Sequence, residues 1–170
     1  MPQTHTYFSS PGCTLDALER LELLVQDLQA LQSKLILLTG KPGTGKSALL
    51  AALAARRGAR VLNVGAELGA LLAALPVNLR VLEANTLLRS LVDTHATAEL
   101  LLLDNIELLF DQTLRLDPLE LIKRHAHARG VVAVWPGEVR HERLTHAALG
   151  HPEYKEYGLA GFVPFALNRE

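Results

Sequence analysis

The residues with the clearest chemistry form a glycine-rich run that ends in lysine and serine, Gly40-Lys41-Pro42-Gly43-Thr44-Gly45-Lys46-Ser47. The run fits the phosphate-loop pattern G-x-x-x-x-G-K-[ST] in full. Glycines let successive backbone N–H groups turn toward an anion, and the N-terminus of a following helix adds partial positive charge. Lys46 is expected to act catalytically by reaching the β- and γ-phosphates of a nucleotide. The motif, with Ala48 after it, predicts a nucleotide-binding loop.

A carboxylate follows a later apolar run. Asp104 comes directly after the four leucines 100–103, and a pattern of this kind resembles a Walker B motif, whose aspartate holds magnesium through water. An aspartate at the end of a strand is common and alone is weak evidence for a magnesium ligand. In a chain that also has a phosphate-loop motif, the evidence is stronger. Ser47 and Asp104 are therefore the predicted magnesium ligands, and ATP with Mg²⁺ are the predicted cofactors.

Hydrolysis also needs a group that orients the attacking water, and here the sequence leaves alternatives open. Many ATPases place Glu after the Walker B Asp, whereas this chain has Asn105, which hydrogen-bonds water but is a poor base. Glu107 is close in sequence, and Glu67 follows the second predicted strand, where RecA-like ATPases carry a glutamate. For either glutamate, a solvated surface role is the commoner one. Slow or partner-dependent hydrolysis is therefore expected.

Arginine can stabilise the charge that develops during phosphoryl transfer, and a neighbouring subunit can supply it. Arg140 and Arg143 are candidates by location only, since solvated surface charge is the usual role of such residues. A GTPase is disfavoured because residues 104–107 lack the D-x-x-G pattern and because the chain has no N-K-x-D guanine reader. A small-molecule kinase is a weaker alternative, because a lid with several arginines is not evident.

Composition and charge limit the remaining classes. The chain has 170 residues and a formal net charge of −1, so it has none of the basic field that dominates nonspecific binding to nucleic acid. DNA contact is expected only locally or through a partner. The single Cys13 forms no internal disulfide, and His125 and His127 point to different sides of a predicted helix, so no zinc is assigned. Without a secretory signal or membrane span, the protein is expected to be soluble and cytoplasmic.

The elements that must position these residues alternate between strand and helix. Short apolar runs predict strands at 35–38, 60–64, 100–104, 131–135 and 161–167. Helices are predicted from Thr14, as cap, to about Gln32, at 47–57, before Pro76, at 83–92, and from Asp117 and Pro118 to Gly130. We therefore predict an α/β P-loop NTPase: a three-layer αβα sandwich with a mainly parallel five-stranded sheet, of the additional-strand ATPase class. Residues 1–13 are expected to form a tail and 14–170 a single domain.

Several further segments resemble one family when they are taken together. They are Leu62-Asn63-Val64 with Glu67-Leu68, the run from Leu103 to Asp111, Leu116-Asp117-Pro118-Leu119, Ala133-Val134-Trp135-Pro136-Gly137 and Gly150-His151-Pro152-Glu153-Tyr154. This combination resembles BrxF, the small P-loop protein of type III BREX phage-defence systems, over about residues 35–157.

The resemblance implies a bacterial or archaeal protein that acts beside other BREX components, including a DNA methyltransferase, a large ATPase and a phosphatase-like protein. It implies that Gly40 to Ser47 and Asp104 bind the nucleotide and magnesium, and it assigns no role to the Trp135 segment. A homo-oligomer is compatible with the sequence. The expected function is an ATP-dependent switch or slow ATPase, and the alternative is a nucleotide-binding scaffold that hydrolyses nothing.

Overall fold

The computed structural model describes residues 11–31, 34–97, 99–147 and 150–168. The helices are α1 (Pro11–Asp27), α2 (Lys46–Arg57), α3 (Val64–Ala73), α4 (Val77–His95) and α5 (Pro118–His125). The strands are β1 (Leu35–Thr39), β2 (Val61–Asn63), β3 (Leu100–Asp104), β4 (Gly130–Val134), β5 (Val139–Arg140), β6 (Arg143–His146), β7 (Lys155–Tyr157) and β8 (Val163–Ala166). Short 3₁₀ turns cover Leu28–Ala30, Ile106–Phe110 and Gln112–Leu114.

The main sheet has five strands in the order β2-β3-β4-β1-β8, and all of its neighbouring pairs are parallel. Strand β4 lies between β1, which leads into the glycine-rich loop, and β3, which ends at Asp104. The two motif-bearing strands are thus separated by one additional strand. The predicted fold class is confirmed, and both motifs lie at the carboxyl edge of one sheet.

Helices cover both faces of this sheet because its strands are apolar on both sides. Along β1, Ile36 and Leu38 pack into a cluster with leucines of α1 and α2, while Leu35 and Leu37 pack with α3, α4 and α5 on the other face. All five residues of β1 are buried. This alternation makes the three layers and leaves the strand ends to carry polar chemistry.

Several element boundaries differ from the sequence prediction. Helix α1 begins at Pro11, so Thr14 lies inside it and the predicted cap is wrong; Gln32 lies outside the described residues. Helix α4 runs over Val77–His95 and is longer than predicted. Helix α5 ends at His125, and Gly130 instead begins β4, where an added Cβ would come within 3.0 Å of a Leu28 methyl group and 3.2 Å of a backbone oxygen. Close packing, and not helix termination, explains that glycine.

A second, antiparallel sheet of three strands, β5-β6-β7, lies between β4 and β8 in sequence and was not predicted. Its strands are two to four residues long, too short for a period-2 pattern to stand out. Trp135 and Phe110 anchor it to the core: Trp135 Nε1 donates to the Thr145 carbonyl at 2.9 Å, and the Phe110 ring stacks on His146 at 3.6 Å. We call this element the small sheet.

None of the helices in the described ranges combines the length and apolar character that crossing a lipid bilayer requires.

Candidate functional site

The glycine-rich loop joins β1 to α2, as its motif predicts. Gly40, Gly43 and Gly45 have φ values of 144°, 79° and 93°, a region that side-chain-bearing residues rarely adopt. At Gly40 the space is also closed, because an added Cβ would lie 2.2 Å from the Leu167 carbonyl oxygen at the end of β8. The loop conformation therefore depends on glycine and on contact with the neighbouring strand.

Helix α2 begins directly after Gly45, and no described side chain caps its N-terminus. The first N–H groups of an α-helix lack acceptors within the helix, and here they belong to Lys46, Ser47 and Ala48. These donors and the helix dipole together form an anion site of the kind that binds phosphate.

The Lys46 ammonium is buried, and backbone oxygens hold it in place. Its Nζ donates to the Gly40 carbonyl at 2.7 Å and to the Trp135 carbonyl at 2.8 Å, and the residue is only 9% exposed. Burial lowers the pKa of Lys46, and the negative charges of Glu107, then Glu138 and Asp104, act in the opposite direction. The positive charge is therefore held between the first residue of the loop and the residue that follows β4.

Ser47 and Asp104, the two predicted magnesium ligands, lie together. The Ser47 hydroxyl donates to Asp104 Oδ1 at 3.0 Å, and the same oxygen accepts from the Asn105 N–H at 2.7 Å. A hydroxyl and a carboxylate beside a phosphate loop supply the hard oxygen donors that Mg²⁺ prefers. The residues present therefore fit a magnesium ion bound between the loop and the end of β3.

Asn105 adopts a left-handed conformation with φ 52°. Its side-chain amide donates to Asn63 Oδ1 at 3.0 Å, and its backbone carbonyl accepts from Gly65 N at 2.9 Å. An added Cβ on Gly65 would lie 2.5 Å from that amide nitrogen. Asn105 is thus held against the end of β2 and the start of α3, and its backbone N–H already donates to Asp104 Oδ1.

A cavity of about 900 Å³ opens between the loop and the small sheet. One wall carries Lys46, Ser47, Asp104, Asn105 and Glu107, and the other carries Glu138, Arg140, His141, Arg143, Thr145, Tyr154 and Glu156. Two of the three predicted water-orienting candidates, Asn105 and Glu107, therefore line the same space as Lys46.

Glu67 is placed elsewhere. Its carboxylate Oε1 lies 3.0 Å from Nε2 of the buried His95, whose Nδ1 is 2.9 Å from the Leu91 carbonyl. Among the described residues that line the cavity, Glu67 is absent. Its contact joins α3 to α4, which makes it a structural partner of His95 in this geometry.

Both predicted arginine candidates line the cavity from the small sheet. Arg140 Nη2 contacts Glu138 Oε1, and Arg143 Nε donates to Glu156 Oε1 at 3.0 Å. The Tyr154 hydroxyl donates to the other oxygen of Glu156 at 2.9 Å. These hydrogen bonds, first from Tyr154 and then from Arg143, lower the pKa of Glu156. Within this single chain, both arginines thus line the same cavity as Lys46.

Sequence reasoning missed Glu138 and the backbone role of the Trp135-Pro136-Gly137 segment. Besides the Trp135 carbonyl, the Gly137 carbonyl accepts from Gly40 N at 3.0 Å, so this segment binds both ends of the loop. The Pro-Gly pair indicates a turn. Because every residue has a backbone carbonyl, the residue type does not show which carbonyl accepts a hydrogen bond. Trp135 itself is fully buried, as the core interpretation predicted.

Within the described ranges, no group of three or more His, Cys, Asp or Glu side chains is arranged to hold a metal ion. The predicted pair of magnesium ligands, Ser47 and Asp104, contains only one carboxylate, with a hydroxyl.

No curated protein matches the chain. Among solved structures, "Structure of C. elegans PCH-2" matches with a TM-score of 0.43 and 18% identity, over 75% of this chain and 36% of that one; this chain therefore spans about a third of the protein that it resembles. The family model "ATPase family associated with various cellular activities (AAA)" matches residues 36–124, which is slightly more than half of the 170 residues. With its phosphate loop and Asp104 inside the matched region, the chain belongs to the AAA ATPase family.

Proposed function

We propose that this protein binds ATP with Mg²⁺ in the cavity between the loop and the small sheet, and hydrolyses it slowly unless a partner accelerates the step. The observation that carries the proposal is the buried Lys46 ammonium, held between two carbonyls beside the Ser47–Asp104 pair. No carboxylate of the described residues contacts this buried ammonium directly. It therefore suits an incoming anion, because phosphate oxygens are stronger acceptors than carbonyls.

The residues divide the work as follows. Backbone N–H groups of the loop and the start of α2 hold the phosphates, and Lys46 turns its Nζ to the β- and γ-phosphate oxygens. Ser47 and Asp104 would hold the magnesium ion, which supplies neutralisation of the charge on those oxygens. Glu107 lines the cavity and is our candidate for orienting the attacking water and accepting its proton as ADP leaves.

We also propose a biological role for this ATP site. The resemblance to BrxF supports a switch in a BREX anti-phage complex, in which ATP orders the cavity walls and hydrolysis releases them. Partner proteins would then bind the ATP state and the state after hydrolysis differently. Any contact with DNA would be made through these partners. We also propose that such a complex, or self-association, supplies the stimulation of hydrolysis.

A nucleotide-binding scaffold without turnover is the second candidate. It is favoured by Asn105, which stands where many ATPases have glutamate and whose amide is held by Asn63 at 3.0 Å. An amide cannot accept the proton of the attacking water, so under this alternative nucleotide would stabilise an assembly without being consumed.

Two measurements test these proposals. Calorimetric titration with ATP, with and without Mg²⁺, tests binding; no heat of binding in either condition would contradict both candidates. Phosphate release by wild type, Glu107→Gln and the matched control Glu67→Gln, each with and without partner proteins and DNA, tests turnover. We expect a loss of rate only in Glu107→Gln, whereas the scaffold alternative predicts no magnesium-dependent release from any of them.

A further inference from the structure

A buried histidine joins the small sheet to the backbone that supports the phosphate loop. His146, in β6, is 6% exposed, and its Nδ1 lies 2.8 Å from the Pro136 carbonyl oxygen. A carbonyl oxygen only accepts hydrogen bonds, so Nδ1 carries the proton in this contact. The imidazole therefore donates to the segment that follows β4.

This contact lies between the two carbonyls that hold the loop. The Trp135 carbonyl accepts from Lys46 Nζ at 2.8 Å, and the Gly137 carbonyl accepts from Gly40 N at 3.0 Å. Three consecutive carbonyls thus bind the ammonium, the imidazole and the first N–H of the loop. Because peptide units are planar and joined in one chain, a displacement of the middle carbonyl also displaces its two neighbours.

The second ring nitrogen of His146 has no hydrogen bond. Nε2 is shielded from solvent, and no partner for it is present among the described residues. The Glu153 carboxylate oxygen Oε2 lies 3.8 Å away, a distance that suits an ion pair but is too long for a hydrogen bond. In the neutral ring Nε2 has no proton to donate, whereas in the protonated ring both nitrogens are donors. Only the protonated ring therefore attracts this carboxylate.

Charged groups reach His146 from two elements. Glu153 belongs to the segment before β7, where its backbone N–H donates to Nδ1 of His151 at 3.1 Å. Lys155, in β7, is the register partner of His146 and opposes a positive charge on the ring, but its side chain is exposed and screened by water. On another side the Phe110 ring stacks on the imidazole at 3.6 Å, and an aromatic face attracts a cation.

We propose that His146 is a positioning residue for the phosphate loop, and that protonation of its Nε2 holds the small sheet more tightly by attracting the Glu153 carboxylate. This inference rests on the proposed ATP site. The bond from Nδ1 to Pro136 is present in both protonation states and fixes the carbonyls beside Lys46. The pair with Glu153 is added only when the pH is low enough for the ring to bind its second proton. The contribution of His146 to nucleotide affinity therefore increases as the pH falls.

His95 is the internal control for this idea. Its Nδ1 lies 2.9 Å from the Leu91 carbonyl and its Nε2 lies 3.0 Å from Glu67 Oε1, so a carbonyl and a carboxylate face the two nitrogens of this ring as well. That contact joins α3 to α4, and neither His95 nor Glu67 is among the described residues that line the cavity. Loss of the His95 ring should therefore change stability and leave nucleotide affinity unchanged.

The test measures the affinity for a nonhydrolysable ATP analogue with Mg²⁺ by calorimetry between about pH 5.5 and 8, where imidazoles titrate. The analogue titrates equally in every experiment, so the ratio of variant to wild type reports on the protein. His146→Asn keeps an N–H donor near the position of Nδ1 and cannot titrate. It should match wild type at the upper end of the range and bind about two- to fivefold more weakly at the lower end, as expected for loss of a partly exposed ion pair.

Three further variants separate the two contacts of the ring. Glu153→Gln should lose the same pH-dependent part of the affinity as His146→Asn, because the carboxylate charge is gone. His146→Leu removes both contacts and should bind the analogue about three- to tenfold more weakly at every pH. His95→Asn should follow wild type over the whole range. A loss in His146→Asn that is the same at every pH would overturn the inference, since it would indicate a merely structural role.

A second measurement needs no nucleotide. Trp135, the single tryptophan, donates to the Thr145 carbonyl directly before His146, so its fluorescence should change with pH in wild type and in His95→Asn. His146→Asn should lose that change, and an unaltered change in this variant would overturn the inference. If wild type does not bind the analogue, the proposed function fails, and the fluorescence still decides whether His146 titrates at this contact. If wild type binds it and His146→Leu keeps full affinity, only this inference fails.

Discussion

The two walls of the cavity hold their cations in different ways. One wall is formed by the phosphate loop and the end of β3, and we call it the loop wall. Its Lys46 ammonium is buried and bound by two backbone carbonyls at 2.7 and 2.8 Å. On the small-sheet wall, Arg140 and Arg143 are exposed and pair with the carboxylates of Glu138, just before β5, and of Glu156 in β7. Carbonyls of a packed backbone cannot leave, whereas carboxylate side chains can turn away. The loop wall is therefore a preformed phosphate site, and the small-sheet wall is one that can rearrange.

This contrast has a physical origin in how each wall is built. The loop wall is the junction of a buried parallel strand with a helix, so its geometry follows from the main sheet. The small sheet consists of strands of two to four residues, held to the core mainly through Trp135, Phe110 and Leu144. Fewer buried contacts make the second wall the easier one to move.

The largest effect is expected from Lys46→Ala. Loss of a charge-assisted contact to phosphate should weaken ATP binding about 10- to 100-fold, as measured by calorimetry. Lys41→Ala removes the same charge from the exposed part of the same loop and should change affinity little. Equal losses of ATP affinity in the two variants would show that the position of the charge on the loop wall does not matter. Unchanged anti-phage activity of Lys46→Ala would contradict the proposed role of ATP.

Carboxylates on the two walls should respond differently to magnesium. Asp104→Asn should reduce the affinity for Mg²⁺ about 10- to 100-fold, as is typical when a supporting carboxylate of a metal site is lost. ATP binding in that variant should then depend little on whether EDTA is present. Glu138→Gln, the matched change on the other wall, should keep the full magnesium dependence, and a similar loss there would break the comparison.

The joint between the walls is expected to be sensitive to volume. At Gly137 an added Cβ would lie 1.8 Å from the Thr145 carbonyl oxygen, so Gly137→Ala should destabilise the protein by about 1–3 kcal/mol, as overpacking does. Gly158→Ala is the control, since its nearest neighbour would be an Arg143 nitrogen at 3.9 Å. Urea unfolding followed by fluorescence of Trp135, the single tryptophan, measures both. Equal stability of the two variants would contradict the close approach.

The smallest effects are expected from two helix caps. Asn63 accepts from Ala66 N at 3.0 Å, and Asp117 accepts from Glu120 N at 3.2 Å, so alanine at either position should cost about 1 kcal/mol of stability. Only Asn63→Ala also releases the Asn105 amide, and we expect it alone to lower the rate of phosphate release. The same rate in both variants would show that Asn105 needs no support from β2.

The loop wall was largely predictable from sequence because its signals are local. Gly40 to Ser47 form a contiguous motif between an apolar run and a helix, and Asp104 follows a second apolar run. Both strands were predicted from composition, and the cap at Asp117 was predicted from its neighbours Pro118 and Glu120. The magnesium and ATP assignments to these residues stay predictions until nucleotide binding is measured.

The small-sheet wall was not predictable in the same way. Arg140 and Arg143 were noticed only because they follow the Trp135 strand, and Glu138 was not singled out. Their approach to Lys46 depends on three short strands folding back over the end of β4. Pairings between such short segments depend on packing against the core, which no window of sequence reveals. For the same reason, the contact of Glu67 with His95 could not be anticipated.

The sequence by itself determined the phosphate loop, the Asp104 strand and the alternation of strands and helices, because each is encoded by neighbouring residues and their periodicity. Tertiary structure alone decided which carbonyls hold Lys46, which glutamates line its cavity and where Arg140 lies. Those relations join residues that are far apart in the chain, such as Lys46 and Trp135. They arise only when parallel strands bring their carboxyl ends to one edge of the main sheet and the small sheet folds back over that edge.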